Sequence, residues 1–216
     1  MKSFRTILVL VLSLGGCGAS PGGSPGQDTG TDRVAAGDLG ARDAAAEIAP
    51  DVPVPPTVGA LVAQVSEDAL GATIAALSDP ASGGFSTRHT GSPGFGDVTA
   101  DLVGRCEALG LETSLHSWED EIDGTVYAAA NVICERPGAL DPDAVLLIGA
   151  HYDSTVDTPP DDPAPGAGDN GSGVAAALEM ARVLSGVDPT VTVRFVFFAG
   201  EEQGFLGSLA YVDRLG

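Results

Sequence analysis

The sequence predicts an α/β fold of three layers, with a mixed, largely parallel sheet held between helices. A continuous apolar run, residues 144–150, has the composition of a strand buried on both faces, and residues 191–199 read as a second buried strand. Segments with apolar residues at helical spacing precede, separate and follow them, so the chain alternates between the two element types.

Taken in order, residues 58–77 place Leu61, Val62, Val65, Ala69, Leu70, Ile74 and Leu77 on one helical face. Residues 97–109 repeat that pattern, and Gly110 supplies a stop. Residues 111–118 and 125–134 read as strands. Residues 173–184 form a helix in which Ala175, Ala176 and Ala177 permit close packing, and residues 206–215 begin another. The Pro/Asp-rich residues 158–165 are expected as a surface loop between a strand and a helix.

The first 57 residues read differently. Lys2 and Arg5 open the chain, and residues 7–14 are apolar except for Ser13, a run too short to span a membrane. Leu14-Gly15-Gly16-Cys17 follows and resembles a bacterial lipobox. That resemblance implies that residues 1–17 are a lipoprotein signal peptide, cleaved before Cys17, whose thiol then carries lipid. Gly18 in place of Asp implies the outer membrane or cell surface, with a secreted or periplasmic location as the alternative. Residues 18–57, rich in Gly, Pro, Ala and Asp, bury too little apolar surface to offset their ordering entropy and are expected to be a flexible tether. The folded domain is residues 58–216.

The formal net charge of -20, from 10 basic and 30 acidic residues, excludes nucleic acid as a partner held by phosphate contacts. Three cysteines are too few for a disulfide-rich scaffold and lack the close pairing of a structural zinc site. Export places Cys106 and Cys134 in an oxidising compartment, where they either pair or remain independent thiols.

Three short segments carry chemistry, each at a strand end or a helix start, where ligand sites of open α/β sheets lie. His151 leaves the tip of the first buried strand, and Asp153, two residues on, projects to the same face. A neutral imidazole can hold a metal through one nitrogen while a carboxylate fixes the other. Asp169 sits in Gly166-Ala167-Gly168-Asp169-Asn170-Gly171-Ser172-Gly173, before a helix whose N-terminus favours negative charge. Its two oxygens can bridge paired metal ions, although the same residues also suit an ordinary turn capped by Asn170 or Ser172. Glu201 and Glu202 end the second buried strand, and adjacent side chains diverge, so one can hold metal while the other takes a proton from water.

In this order the segments resemble the zinc aminopeptidases of the bacterial leucyl aminopeptidase, aminopeptidase S and aminopeptidase Y type. Residues 88–93 (Arg88-His89-Thr90-Gly91-Ser92-Pro93), Ala130-Asn131-Val132-Ile133, Gly207-Ser208 and Tyr211-Val212 also match. The resemblance implies two zinc ions, with His151, Asp169 and Glu202 as ligands and Asp169 as the bridge. It implies that Asp153 orients His151, that Glu201 is the general base, and that the substrate is a peptide or protein with a free N-terminus. It also implies a further Asp and His ligand downstream of Glu202. The chain is therefore expected to be C-terminally incomplete, to bind metal poorly and to show little activity. Gly168 departs from the Asp of many relatives at a position that is not a ligand. His89, His116 and Asp213 are not assigned to the missing roles. The alternatives are a glutaminyl-cyclase-like acyltransferase and a non-catalytic surface lipoprotein with a degenerate peptidase-like domain.

Overall fold

The structure, a computed structural model, describes residues 7–11, 56–158 and 162–215. Apart from residues 7–11, the expected leader lies outside the described residues, and so do Cys17 and nearly all of the expected tether. Among the described residues, no helix is long and apolar enough to cross a membrane.

The chain forms β1 (Ile7–Val11), α1 (Val58–Val62), α2 (Glu67–Ser78), α3 (Phe95–Ala108), β2 (Glu112–Ile122), β3 (Thr125–Arg136), β4 (Asp141–His151), α4 (Ser172–Leu184), β5 (Val191–Phe198) and α5 (Leu206–Leu215). The strands build one mixed sheet in the order β1-β4-β5-β3-β2. It is parallel across β1, β4 and β5 and antiparallel from β5 to β2. The strand at the β4 edge, Ile7–Val11, comes from the apolar run of the expected leader and pairs with residues 145–149.

Alternation along the strands gives the layers. Val132 and Cys134 of β3, Ile148 and Ala150 of β4, and Val193, Phe195 and Phe197 of β5 join a core with Leu77, Val98, Leu102, Val174 and Leu178 from α2, α3 and α4. The intervening Ile133, Leu147 and Val196 pack with Tyr211 of α5 in a second cluster. The sheet thus lies between α2, α3 and α4 on one side and α5 on the other, the three-layer α/β fold expected.

Three local expectations change. The single helix over residues 58–77 is two helices, because Ser66 caps the second: its hydroxyl accepts from Ala69 N at 3.1 Å, and Glu67 and Asp68 fill the first turn. Val58, Val62 and Val65, which extended the apolar pattern, are exposed. The strands expected at 111–118 and 125–134 run on into a tight hairpin, whose Asp123 and Gly124 have φ of 50° and 79°. The expected surface loop is drawn inward at its end, where Ala164 is buried, bridges Thr87 and accepts from Ser154 Oγ.

Cys106 of α3 and Cys134 of β3 form a disulfide, which resolves the open choice and fastens a helix to the sheet.

Candidate metal centre

Because β4 and β5 run parallel, with His151 opposite Phe198, the chain leaves both strands at the same end of the sheet. That shared exit brings His151, Asp153, Glu201 and Glu202 together. His151 is buried, and one nitrogen or oxygen from each of His151, Glu201 and Glu202 lies within 4.8 Å of the others. Asp169 completes the group from the turn before α4, with Oδ1 3.0 Å from His151 Nε2. This turn, Ala167–Gly171, contains a cis Asp169–Asn170 peptide. Asn170 Oδ1 accepts from Gly173 N at 3.0 Å and so caps the first turn of α4, the role that the sequence offered to Asn170 or Ser172. Every residue of the expected site therefore reaches one place.

Asp153 does more than the sequence indicated. It is fully buried, and its two oxygens accept from the backbone N–H groups of Glu201 (3.2 Å) and Glu202 (3.0 Å). A residue two positions beyond β4 thereby fixes the turn following β5. Its contact with His151 Nδ1 is 3.5 Å, close enough for charge but long for a well-formed hydrogen bond. Nδ1 has no hydrogen-bond partner among the described residues.

The electrostatics are lopsided: one imidazole faces four carboxylates. Burial opposes a proton on His151, but Asp153, Glu201 and Asp169 together outweigh it and raise the pKa. Glu202 is pushed up to about 7 by burial first and then by Asp153, Asp169 and Glu201, with His151 opposing. A divalent cation would relieve this repulsion. Imidazole nitrogen and carboxylate oxygen are donors that zinc accepts at roughly 2.0–2.2 Å. Tetrahedral ligands at that range stand roughly 3.4 Å apart, so the three donor atoms, within 4.8 Å of one another, would draw together around an ion.

Two buried polar residues that the sequence reading left without a role support the cluster. Arg88 is fully buried, and its guanidinium donates to the main-chain oxygens of Tyr152 (2.8 Å), Leu77 (3.1 Å), Gly166 (3.0 Å) and Pro165. It thus ties the exit of β4 to the loop leading to Asp169. Burial pulls its pKa down to about 10 against the charges of Asp153 and Glu202, which leaves it cationic at neutral pH. Asn131, buried in β3, accepts from Ala199 N (3.0 Å) and donates to Gly207 O (2.7 Å), gripping both ends of the turn that carries Glu201 and Glu202. Only glycine fits at Gly207, since a Cβ there would stand 2.2 Å from Ala199 O and 2.3 Å from Asn131 Oδ1. A signal for Asn131 was present: an amide inside an otherwise apolar strand must have partners.

His89 is buried and accepts from Gly91 N through Nδ1, while His116 contacts the Asn131 amide. Asp213 lies in α5. None of the three belongs to the cluster of His151, Glu201 and Glu202.

Fold and site together define an α/β protein with a histidine–carboxylate centre at the tips of parallel strands. Comparison with known proteins follows: residues 131–215 match the model described as Peptidase family M28. It is 36% identical over 174 residues to leupeptin-inactivating enzyme 1 of Streptomyces exfoliatus, covering 80% of this chain and 34% of that protein. It is 34% identical over 167 residues to a probable zinc metalloprotease of Pyrenophora teres f. teres, covering 68% of this chain and 35% of the relative. Among solved structures, a leucine aminopeptidase precursor from Bacteroides thetaiotaomicron is similar in fold, with a TM-score of 0.54 at 24% identity over 64% of this chain and 48% of that one. A glutaminyl cyclase from Fimbriiglobus ruber also aligns, with a TM-score of 0.54 at 25% identity over 63% and 46% of the two chains. The chain spans about a third of the length of the curated relatives it matches.

Proposed function

We propose that this chain carries the catalytic centre of a zinc-dependent exopeptidase that releases residues from the N-terminus of peptides. The observation that carries the reading is the convergence of His151, Asp169, Glu201 and Glu202 at the ends of β4 and β5. His151, Asp169 and Glu202 would hold zinc, with Asp169 between two ions. Zinc supplies Lewis acidity toward the scissile carbonyl when bound. Glu201, half-buried with Oε2 3.9 Å from His151 Nε2, takes the proton of the attacking water and returns it to the leaving amine. Asp153 holds the backbone of both glutamates, so the base and the ligand keep their divergent directions.

The test has two arms. Zinc binding measured by calorimetry is expected to fall at least tenfold (roughly 1.4 kcal/mol) in His151→Ala. Release of nitroaniline from leucyl-nitroanilide in zinc-replete buffer is expected to vanish in Glu201→Gln. Zinc affinity indifferent to His151, or release undiminished in Glu201→Gln, would overturn the reading. Similarity of fold to a glutaminyl cyclase supports acyl transfer as the second reading, and cyclisation of an N-terminal glutaminyl peptide separates the two.

We also propose that the protein is exported and anchored by lipid on Cys17. The leader pattern supports this, and the Cys106–Cys134 disulfide fits an oxidising compartment. Incorporation of radiolabelled palmitate, lost in Cys17→Ala, is the expected result, and equal labelling of both would refute it.

A further inference from the structure

Asn131 grips the turn that carries Glu201 and Glu202, and its own amide is held by a residue on the neighbouring strand. His116 of β2 stands opposite Asn131 in the hairpin register, with Nδ1 3.1 Å from Asn131 Nδ2. An amide nitrogen only donates, so Nδ1 accepts and the neutral ring carries its proton on Nε2. The surroundings favour that state. Burial first, and then the charge of Arg214 in the last turn of α5, hold the His116 pKa below its ordinary value.

The Asn131 amide has no slack. Its Oδ1 accepts from Ala199 N at 3.0 Å, and its two N–H bonds donate to Gly207 O at 2.7 Å and to His116. Asn131 is fully buried, where an N–H without an acceptor costs about as much as a hydrogen bond contributes. If His116 offered no acceptor, the amide would leave one N–H unpaired, or turn toward another partner and loosen its hold on Ala199 or Gly207.

The imidazole is braced in turn. Tyr211 of α5 meets it edge to face, with ring centroids 5.8 Å apart and planes at 78°. The Tyr211 hydroxyl accepts from Arg194, which is paired with Glu135, and the same ring meets Phe198, the last residue of β5. The helix that follows the turn thus orients the ring that orients the amide. From His116 the contacts run through Asn131 to Ala199 and Gly207, the residues that bracket Glu201 and Glu202.

We propose that His116 is a positioning residue for the metal centre: by accepting from Asn131 it keeps that amide clamped on both ends of the Glu201–Glu202 turn. The link from His116 to the turn stands on these contacts, while its bearing on metal rests on the zinc-peptidase reading.

Two variants of the full chain separate the acceptor from the bulk of the ring. His116→Leu removes the acceptor and keeps an apolar side chain beside Tyr211. His116→Asn keeps an acceptor oxygen on Cγ, the atom to which Nδ1 is attached in histidine. The first readout is hydrogen exchange at Ala199 N–H without metal, and the second is zinc affinity by calorimetry. In His116→Leu, exchange should quicken roughly fivefold and zinc affinity fall by a similar factor, the usual worth of one hydrogen bond. His116→Asn should recover most of both. In an Asn131→Leu background, His116→Leu should change zinc affinity no further, because its path to the turn is gone. Unchanged exchange in His116→Leu, equal effects of Leu and Asn, or effects that add in the double variant overturn the proposal. A native chain that binds no zinc, while Ala199 exchange responds as stated, counts against the metal reading alone.

Discussion

Replacing Arg88 by Met tests whether one buried cation holds the metal-site loop in place. The guanidinium is fully buried and donates to four main-chain carbonyls, those of Leu77, Tyr152, Pro165 and Gly166. Met keeps the aliphatic volume but leaves these acceptors facing a thioether. A buried carbonyl that loses its partner costs roughly 1 kcal/mol at the low end, so four cost about 4 kcal/mol. Relief of the guanidinium's own desolvation offsets part of this, which sets the expected loss at about 3 kcal/mol. For a domain of this size that lowers Tm by roughly 6–12 °C. Urea unfolding followed by Trp118 emission, with the disulfide intact, is the direct assay, and the slope of the transition should stay constant if only the native state is affected. Arg88→Lys keeps the charge but not the planar fork and should recover only part of the loss. Zinc affinity should fall in parallel, because Pro165 and Gly166 lead into the turn that carries Asp169. A loss below about 1 kcal/mol in Arg88→Met would show that the carbonyls find other partners, and the argument from four orphaned acceptors would fail.

Three further outcomes are expected. Asp153→Asn exchanges an acceptor of the Glu201 or Glu202 amide for a donor, costs about 2 kcal/mol in urea unfolding, and removes the main charge that raises the His151 pKa, a change visible by NMR titration. Replacing Cys106 and Cys134 by Ala opens a crosslink between residues 28 apart in sequence. The stability lost should be about 3–4 kcal/mol in the loop-entropy account, and reductant should reproduce it in the native chain. Glu202 has its folded pKa raised to about 7 from 4.5, so between those values the native state holds a proton that the unfolded chain has released. Metal-free stability should therefore fall as pH rises from 4.5 through 7 and level off above it. Saturating zinc should remove the decline, and a stability that rises over that window without metal would refute the assignment.

The strands at the heart of the sheet were legible because β4 carries a continuous apolar run and β5 a strongly apolar one. The break between α1 and α2 was missed because Val65 prolonged the helical period past the cap at Ser66. The Asp123-Gly124 hairpin was written in the sequence as a turn signal but was not joined to the strands on either side. At the site, His151, Asp169, Glu201 and Glu202 were readable because each is a metal-competent side chain placed next to an element boundary. What holds them together was not readable.

That difference has a physical origin. Asn131 grips Ala199 across a sequence separation of 68, Arg88 reaches Tyr152 across 64, and Asp153 reaches Glu202 across 49. Each of these contacts joins a side chain to main-chain N–H or C=O, groups that every non-proline residue carries in the same form and that leave no mark on sequence composition. A sequence can therefore announce candidate metal donors while remaining silent about the amides and carbonyls that aim them. The same histidine and acids on a chain lacking Asn131 and Arg88 would keep the motif and lose the geometry. Asn131→Leu makes this separable: it retains every candidate ligand and, with an apolar side chain of similar size, should still fold. It should bind zinc more weakly than the native chain, because both ends of the Glu201–Glu202 turn are released. Undiminished zinc affinity in that variant would place the aiming of the glutamates in Asp153 alone.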